Sequence, residues 1–299
     1  MEFVGHKTTR IPTLFGLSLL ITALLLGLFL YFYQQNLSNK QRAFYNPTEI
    51  VVTNLLADQA TITWWTETPS IGQIAYGTNS SLNDQQMDNR DMHEARNRQI
   101  HFVTLRNLNP DTNYYYQIMA NGIKYPPKPL SFKTAVALET TTQNKPLRGS
   151  VLNTNLNPID EALVTIHIDG AAEMTTFTST AGNFIIPLKD LRTSDLSAPF
   201  SIQKNTTALL QIKKGPLQSQ VDLYLPINDS ALLPPLTIGQ NINLKGVLNE
   251  LDAQTTSTSN TNYDLNQDGK INSLDLAIIS QNNGKKLLRI LLLRSNKLT

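Results

Sequence analysis

The chain has 299 residues, of which 25 are Lys or Arg and 23 are Asp or Glu, and it contains no cysteine. The net charge of +2 gives no general attraction to nucleic acid, and we predict no nucleic-acid partner. Without cysteine, neither disulfide bonds nor thiol chemistry can contribute to the molecule. After an apolar N-terminal stretch, the remaining length suits two domains of about 100 residues each.

The apolar stretch occupies residues 14–33 and contains no charge. At about 1.5 Å rise per residue, a helix of this length covers the roughly 30 Å hydrocarbon core of a bilayer. Tyr31, Phe32 and Tyr33 mark one boundary, as interfacial aromatic residues do. A cleaved signal peptide is the alternative, but residues 34–42 offer no small-x-small cleavage site. We therefore predict that residues 1–43 comprise a cytoplasmic stub, one membrane anchor at 14–33 and a linker.

Short strand-like runs separated by turn residues follow in residues 44–135. Alternation in the second run places Ile62 and Trp64 on the face opposite their threonine neighbours, as in a half-buried strand. Residues 108–114 match a tyrosine corner, in which the hydroxyl of Tyr114 bonds back to the preceding turn. These features predict an antiparallel β-sandwich. The predicted strands are 49–53, 60–66, 72–76, 100–105, 114–120 and 130–134.

This segment resembles a fibronectin type III domain, closest to the version that precedes purple acid phosphatases, in residues 60–66, 73–77 and 101–108. That resemblance raises the possibility of an enzyme. A binuclear phosphatase needs several Asp, His and Asn ligands, whereas this chain has four histidines in all. His93 lacks the second histidine of a zinc helix, and we expect His101 to be a packed or partly exposed strand residue. We therefore predict no catalytic activity.

A Thr-rich linker at 136–145 precedes a second predicted sandwich at 146–244. Phe184, Ile186 and Leu188 alternate toward its interior after a turn at Gly182. His167 alternates with the core residues, so it should point with Thr165 away from the core. The order of Gly-x-Val, Ala-x-Val-x-Ile and Gly-x-Phe segments resembles the carboxypeptidase regulatory-like or collagen-adhesin B-type sandwich, which implies a spacer role.

Residues 264–275 have the spacing of a calcium-binding loop. Gly269 stands at position 6, where such a loop turns sharply, and Ile271 at position 8 is apolar. Calcium prefers about six to eight oxygen ligands. An Asn/Asp/Gly-rich surface turn is the alternative. The predicted ligands are the side chains of Asp264, Asn266, Asp268, Asn272 and Asp275 and the backbone carbonyl of Lys270.

The loop is preceded by a Ser/Thr-rich segment, 245–262, that forms helices poorly, and it is followed by a short apolar stretch suited to a helix. A calcium loop with only the exiting helix resembles a dockerin repeat, which we place at 263–286. The resemblance implies a calcium cofactor and a cohesin-like partner, contacted at positions occupied here by Ser273 and Leu274. Dockerins usually carry two repeats, but residues 242–252 lack the ligand spacing, so we predict a single one.

The tail at 287–299 is apolar and basic and far too short to span a bilayer. It suits three roles: extension of the module's helix, packing in place of a second repeat, or contact with an anionic membrane surface. We expect it to pack, because the module otherwise lacks a second layer to cover its apolar residues.

The sequence thus predicts a mainly β fold, with two antiparallel β-sandwich domains in tandem, an N-terminal transmembrane helix and a small C-terminal α calcium-loop module. Basic residues flank both ends of the span, so charge does not decide orientation. A calcium site of modest charge fills where calcium is abundant, so we expect a single-pass cell-membrane protein with most of the chain extracellular. The expected function is adhesion or surface assembly. The alternatives are a glycan- or polymer-binding envelope protein with a purely structural calcium site, in which Trp65 and Tyr115 are expected to be exposed and to bind the ligand, and an accessory subunit of a surface hydrolase.

Overall fold

A long helix, one turn of 3₁₀ helix at Leu188–Asp190 and fifteen strands make up the regular structure of the computed structural model, which describes residues 13–91, 94–138, 142–227 and 232–245. The described strands are β1 Thr48–Thr53, β2 Gln59–Ser70, β3 Gly72–Gly77, β4 Asp84–Met87, β5 Arg98–Arg106, β6 Asn113–Ala120, β7 Ile123–Lys133, β8 Leu147–Leu152, β9 Leu163–Ile168, β10 Met174–Phe177, β11 Asn183–Ile186, β12 Thr206–Lys214, β13 Leu217–Leu225, β14 Leu236–Thr237 and β15 Ile242–Asn243.

The N-terminal helix, α1, runs over Thr13–Phe44 and extends beyond the predicted span. It continues through the polar residues after position 33 because no Pro or Gly interrupts them before Pro47. Its most apolar window has a mean hydropathy of 2.3 and none of that window is buried against other parts of the chain. The predicted apolar helix is confirmed. Its length and composition suit a membrane span and equally suit a signal sequence near the N-terminus.

The first half of the β region contains two antiparallel sheets, with strand orders β1-β2-β5 and β4-β3-β6-β7. Ile62 and Trp64 are buried between the sheets, as predicted. The backbone N–H of Asn109 donates to the hydroxyl of Tyr114 at 3.0 Å, which confirms the tyrosine corner. Sequence patterns missed β4, because its residues Asp-Gln-Gln-Met lack the β-branched and aromatic side chains that favour strands.

The second half also contains two sheets, with orders β10-β9-β12-β13-β15 and β11-β8-β14. Phe184, Ile186 and Leu188 are buried, which confirms the predicted alternation. The chain crosses from one sheet to the other between β10 and β11, at Gly182, whose φ of +74° suits glycine. The short strands β14 and β15 pair in parallel with β8 and β13, an exception to the antiparallel pattern.

All described residues after Asn46 belong to one compact unit, in which the two halves pack sheet against sheet. The outward face of β1-β2-β5 meets the outward face of β10-β9-β12, and we call this contact the junction. The rings of Phe102 and Phe177 meet across it nearly edge to face, with centroids 5.2 Å apart. The junction thus places polar side chains from both halves in a confined space.

Candidate functional site

The six predicted calcium ligands, Asp264, Asn266, Asp268, Lys270, Asn272 and Asp275, lie outside the described residues, so the calcium site stays a prediction. The described chain ends at Lys245, just after β15. There the Lys245 ammonium lies 3.3 Å from a carboxylate oxygen of Asp222 and 5.8 Å from the centre of the Tyr224 ring. These contacts position Lys245, which precedes the predicted calcium loop in the sequence.

A buried ionic cluster lies at one end of the junction. Asp88 accepts from the guanidinium of Arg90 at 2.7 and 2.8 Å, and it also accepts from the backbone N–H of Phe102 at 2.9 Å. Arg98, at the start of β5, pairs with Asp91. The side chains of Asp88 and Asp91 are fully buried, so each arginine neutralises a carboxylate that water does not reach.

The second half completes this cluster through Glu161. Its carboxylate lies 3.3 Å from Arg98 and 3.6 Å from Arg90. Glu161 reaches this position from the turn before β9, where it adopts a φ of +49°. The turn ends just before β9, which begins at Leu163. The cluster therefore joins residues that are distant in sequence and that belong to different halves.

The ion pairs set the protonation states in the cluster. Burial alone would raise the pKa of Asp88, but the hydrogen bonds and charge of Arg90 lower it below its ordinary value. Burial alone would lower the pKa of Arg98, but hydrogen bonds to Glu161 and Asp91 raise it. Both groups are thus held in their charged forms, which suits a structural cluster better than one that exchanges protons.

His101 is packed in the first half, which is one of the two expectations from sequence. It is 1% exposed and stacks on Trp64, with ring centroids 4.7 Å apart. Its Nε2 lies 3.2 Å from the hydroxyl of Ser70, and any side chain at Gly72 would collide with the ring. Burial lowers the pKa of His101 to about 4, so the imidazole is neutral at physiological pH.

His167 points away from its own core, as predicted, but it faces the junction instead of open solvent. Its Nδ1 lies 2.8 Å from a carboxylate oxygen of Glu173. This hydrogen bond raises the pKa of His167 and lowers the pKa of Glu173. The pair lines a cavity of about 120 Å³ between the halves.

Asn54 links the two halves through hydrogen bonds of the kind that a neighbouring strand makes. Its side-chain amide donates to the carbonyl of Thr175 at 2.7 Å and accepts from the N–H of Thr175 at 2.8 Å. Its backbone N–H donates to the carbonyl of Glu173 at 3.1 Å. These bonds occupy backbone groups along the edge strand β10, which would otherwise be open to pairing with another chain.

The aromatic residues considered for ligand binding differ in accessibility. Tyr115 is 39% exposed, as expected. Trp65 is half-buried instead of exposed, because it faces the junction and the ammonium of Lys213 lies 5.6 Å from its ring centre. Among the residues that the structure describes, no group of three or more His, Cys, Asp or Glu side chains is placed to hold a metal ion.

Two family models match parts of the chain. Residues 46–134 match the N-terminal domain of purple acid phosphatase, and this range contains β1 to β7. Residues 238–282 match the dockerin type I domain. The second match contains all six predicted calcium ligands and begins upstream of the predicted repeat, within the described residues. These matches confirm the resemblances to the purple acid phosphatase N-terminal domain and to a dockerin. The resemblance of residues 146–244 to the carboxypeptidase regulatory-like or collagen-adhesin B-type sandwich stays a prediction.

No curated protein matches the chain significantly. Similar solved structures include a fibronectin type III domain of the human KIAA0970 protein, with 16% identity over 33% of this chain and 78% of that one, and a TM-score of 0.24. Domains FN1–FN3 of chicken CNTN1 match with 12% identity over 56% of this chain and 60% of that one, and a TM-score of 0.22. PhoD matches with 11% identity and a TM-score of 0.24, over 35% of this chain and 21% of PhoD.

Proposed function

We propose that this chain is a non-catalytic surface protein that displays a calcium-dependent dockerin-like module on a pair of packed β-sandwiches. The observation that carries the proposal is the dockerin type I match at residues 238–282, which includes every predicted loop ligand. The fibronectin-like first half supports the same proposal, since domains of this kind and dockerins are typically assembly modules without an active site.

The proposed calcium site uses ligands of the type that the ion prefers. Carboxylate oxygens come from Asp264, Asp268 and Asp275, and amide oxygens come from Asn266 and Asn272. Calcium would supply the positive charge that lets three carboxylates approach one another. Binding is therefore coupled to ordering of the loop and of the apolar segment that follows it.

We propose that α1 anchors the protein in the cell membrane and that the β-sandwiches and the module face outward. The helix is long and apolar enough to span, and its apolar side chains are exposed to the surroundings. The expected form in cell envelopes therefore retains residues 1–43. A mature N-terminus after residue 33 would indicate a cleaved signal sequence instead, and N-terminal sequencing of the purified protein distinguishes the two.

The proposed partner is a cohesin-like protein on the same or a neighbouring cell surface, with adhesion or surface assembly as the result. In a dockerin-like loop, positions 10 and 11 contact the partner, and this chain has Ser273 and Leu274 there. A small hydroxyl beside an apolar side chain suits a contact that combines hydrogen bonding with apolar burial. The proposed contact requires the calcium-bound form of the loop.

The test uses the full-length protein in a mild detergent, with calcium added and removed. Asp264→Ala and Asp275→Ala should each lose calcium binding in calorimetry and lose the calcium-induced gain in helical circular dichroism. Asp84→Ala is a matched control, because Asp84 is exposed on β4 in the first half. Equal calcium affinity in all four proteins, including the unmodified one, would overturn the proposed site.

A further inference from the structure

The cavity at the junction has the composition of a ligand-binding cleft. Its volume is about 120 Å³, and its walls come from β1 and β2 of the first half and from β9, β10 and β12 of the second. At about 30 Å³ per molecule, it has room for roughly four water molecules or one small organic group. The purple acid phosphatase match covers the first half, and the dockerin match covers residues 238–282. Neither match assigns a role to a site between the halves.

Threonine hydroxyls dominate the inner part of the cleft. Thr53, Thr63 and Thr175 are each less than 5% exposed, and Thr165 and Thr175 lie with their hydroxyls 3.1 Å apart. The hydroxyl of Thr53 is buried and has no hydrogen-bonding partner in the protein. A buried polar group without a partner is unfavourable, so a group bound in the cleft that bonds this hydroxyl is favoured.

The charged groups of the cleft are already matched in pairs. At one end the ammonium of Lys213 pairs with Glu49, and at the other end His167 bonds Glu173. An added cation or anion would leave one charge without a counterpart, whereas a neutral molecule disturbs neither pair. The outer members of these pairs, Glu49 and Glu173, are substantially exposed, so the cleft opens to solvent beside them.

We propose that the cleft binds a small neutral polyhydroxylated group, such as a free polyol or the diol edge of a sugar. Hydroxyl groups both donate and accept hydrogen bonds, as do the threonine hydroxyls and the Gln211 amide that line the cleft. Because the cleft joins the two halves, an occupant contacts both and stabilises their packing. This site is independent of the proposed calcium module.

The test is a titration of full-length protein in mild detergent with glycerol and, separately, with methyl glucopyranoside, observed through threonine methyl and His167 ring signals in NMR. We expect saturable chemical-shift changes at Thr53, Thr165 and His167. Saturation by glycerol identifies a free polyol as sufficient, and saturation by the glucoside alone identifies a sugar edge. Linear or absent shifts with both probes mean a cleft that holds only water and overturn the proposal.

Variants separate binding from nonspecific solvent effects. Thr53→Val keeps the shape of the buried side chain and removes its hydroxyl, so affinity should fall about three- to tenfold, the equivalent of one hydrogen bond. Gln211→Ala, at an exposed position, should weaken binding similarly without endangering the fold. Thr207→Val, on the same strand but outside the cleft, is the control and should bind normally. Equal affinity in all three variants, or stronger competition by sodium acetate than by the neutral probes, would contradict the proposal.

Discussion

The two halves of the β region are stabilised by different kinds of interior. Among the residues that the structure describes, the main hydrophobic cluster of the first half has 11 buried members, including Trp64, Tyr114, Tyr116 and Phe132, whereas that of the second half has 22, with Phe184 as its aromatic member. Among the described residues, the first half buries three charged residues, Asp88, Asp91 and Arg98, and the second half buries one, Arg192. The first half therefore depends on satisfied polar groups, and the second depends mainly on aliphatic packing.

Glu161 connects the two halves that have these different interiors. It extends from the second half, which has the larger aliphatic core, and its carboxylate lies near Arg90 and Arg98 of the first half. The first half therefore obtains part of its charge compensation from its neighbour. A segment that matches a family model by itself can therefore still depend on contacts outside the matched residues.

The largest expected effect comes from breaking the buried ionic cluster. Arg98→Ala leaves the fully buried carboxylate of Asp91 without its arginine partner, and we expect a loss of about 3–5 kcal/mol in the free energy of unfolding. Chemical denaturation measures this loss. Arg106→Ala, at the exposed end of the same strand, should cost less than about 1 kcal/mol. Similar losses in both variants would contradict the importance of the cluster.

Acidification should destabilise the first half through His101. Its folded pKa is about 4, below the ordinary value of 6.5, so the unfolded chain binds more protons between these values and stability falls as the pH drops through that window. The shift corresponds to about 3 kcal/mol. Denaturation of the unmodified protein and of His101→Gln at pH 7 and pH 4 measures it. The variant should lack this part of the pH dependence, and identical slopes would show that His101 does not cause it.

Removing the charge of Glu161 tests the connection between the halves. Glu161→Gln should cost about 1–2 kcal/mol, because hydrogen bonds to charged groups are lost while Asp88 and Asp91 still pair with the arginines. Hydrogen exchange should become faster in β5, which belongs to the other half. Asp160→Asn, which alters the exposed neighbouring pair with Lys214, is the control and should leave β5 unchanged. Faster exchange confined to the second half would contradict the connection.

The smallest effect is expected at the tyrosine corner. Tyr114→Phe removes the hydroxyl that accepts from Asn109 and should cost about 0.5–1.5 kcal/mol, since one hydrogen bond is lost and packing is retained. Thermal unfolding measures the change. Tyr115→Phe, at the exposed neighbouring position, should unfold at the temperature of the unmodified protein. A larger loss at Tyr115 than at Tyr114 would reverse the assignment of their faces.

Local sequence patterns predicted the strands and their buried faces because alternation and turn residues act over short distances. The burial of Ile62 and Trp64, the corner at Tyr114 and the inward series from Phe184 to Leu188 all follow from neighbouring residues. The strands β14 and β15 escaped prediction because two residues are too few to show a period, and β4 escaped because its residues lack the side chains that favour strands.

The junction could not be predicted because its contacts join positions far apart in the chain. Arg98 and Glu161 are separated by 63 residues, and Asn54 and Thr175 by 121. Alternation correctly placed His167 outside its own core, but it carries no information about another sheet covering that face. For the same reason, Trp65 was expected to be exposed and is instead half-buried beside Lys213. The calcium ligands differ from the junction residues. They lie close together in sequence, so their spacing could be recognised, but their geometry stays a prediction.

Calcium titration of the full-length protein tests the central proposal most directly. Calorimetry in mild detergent, on protein first stripped with a chelator, gives the number of sites and their affinity. We expect one calcium ion per chain, bound with micromolar or tighter affinity and accompanied by a gain in helical circular dichroism. Absence of binding at millimolar calcium would reduce residues 264–275 to a polar turn and would contradict the proposed display of a calcium-dependent module.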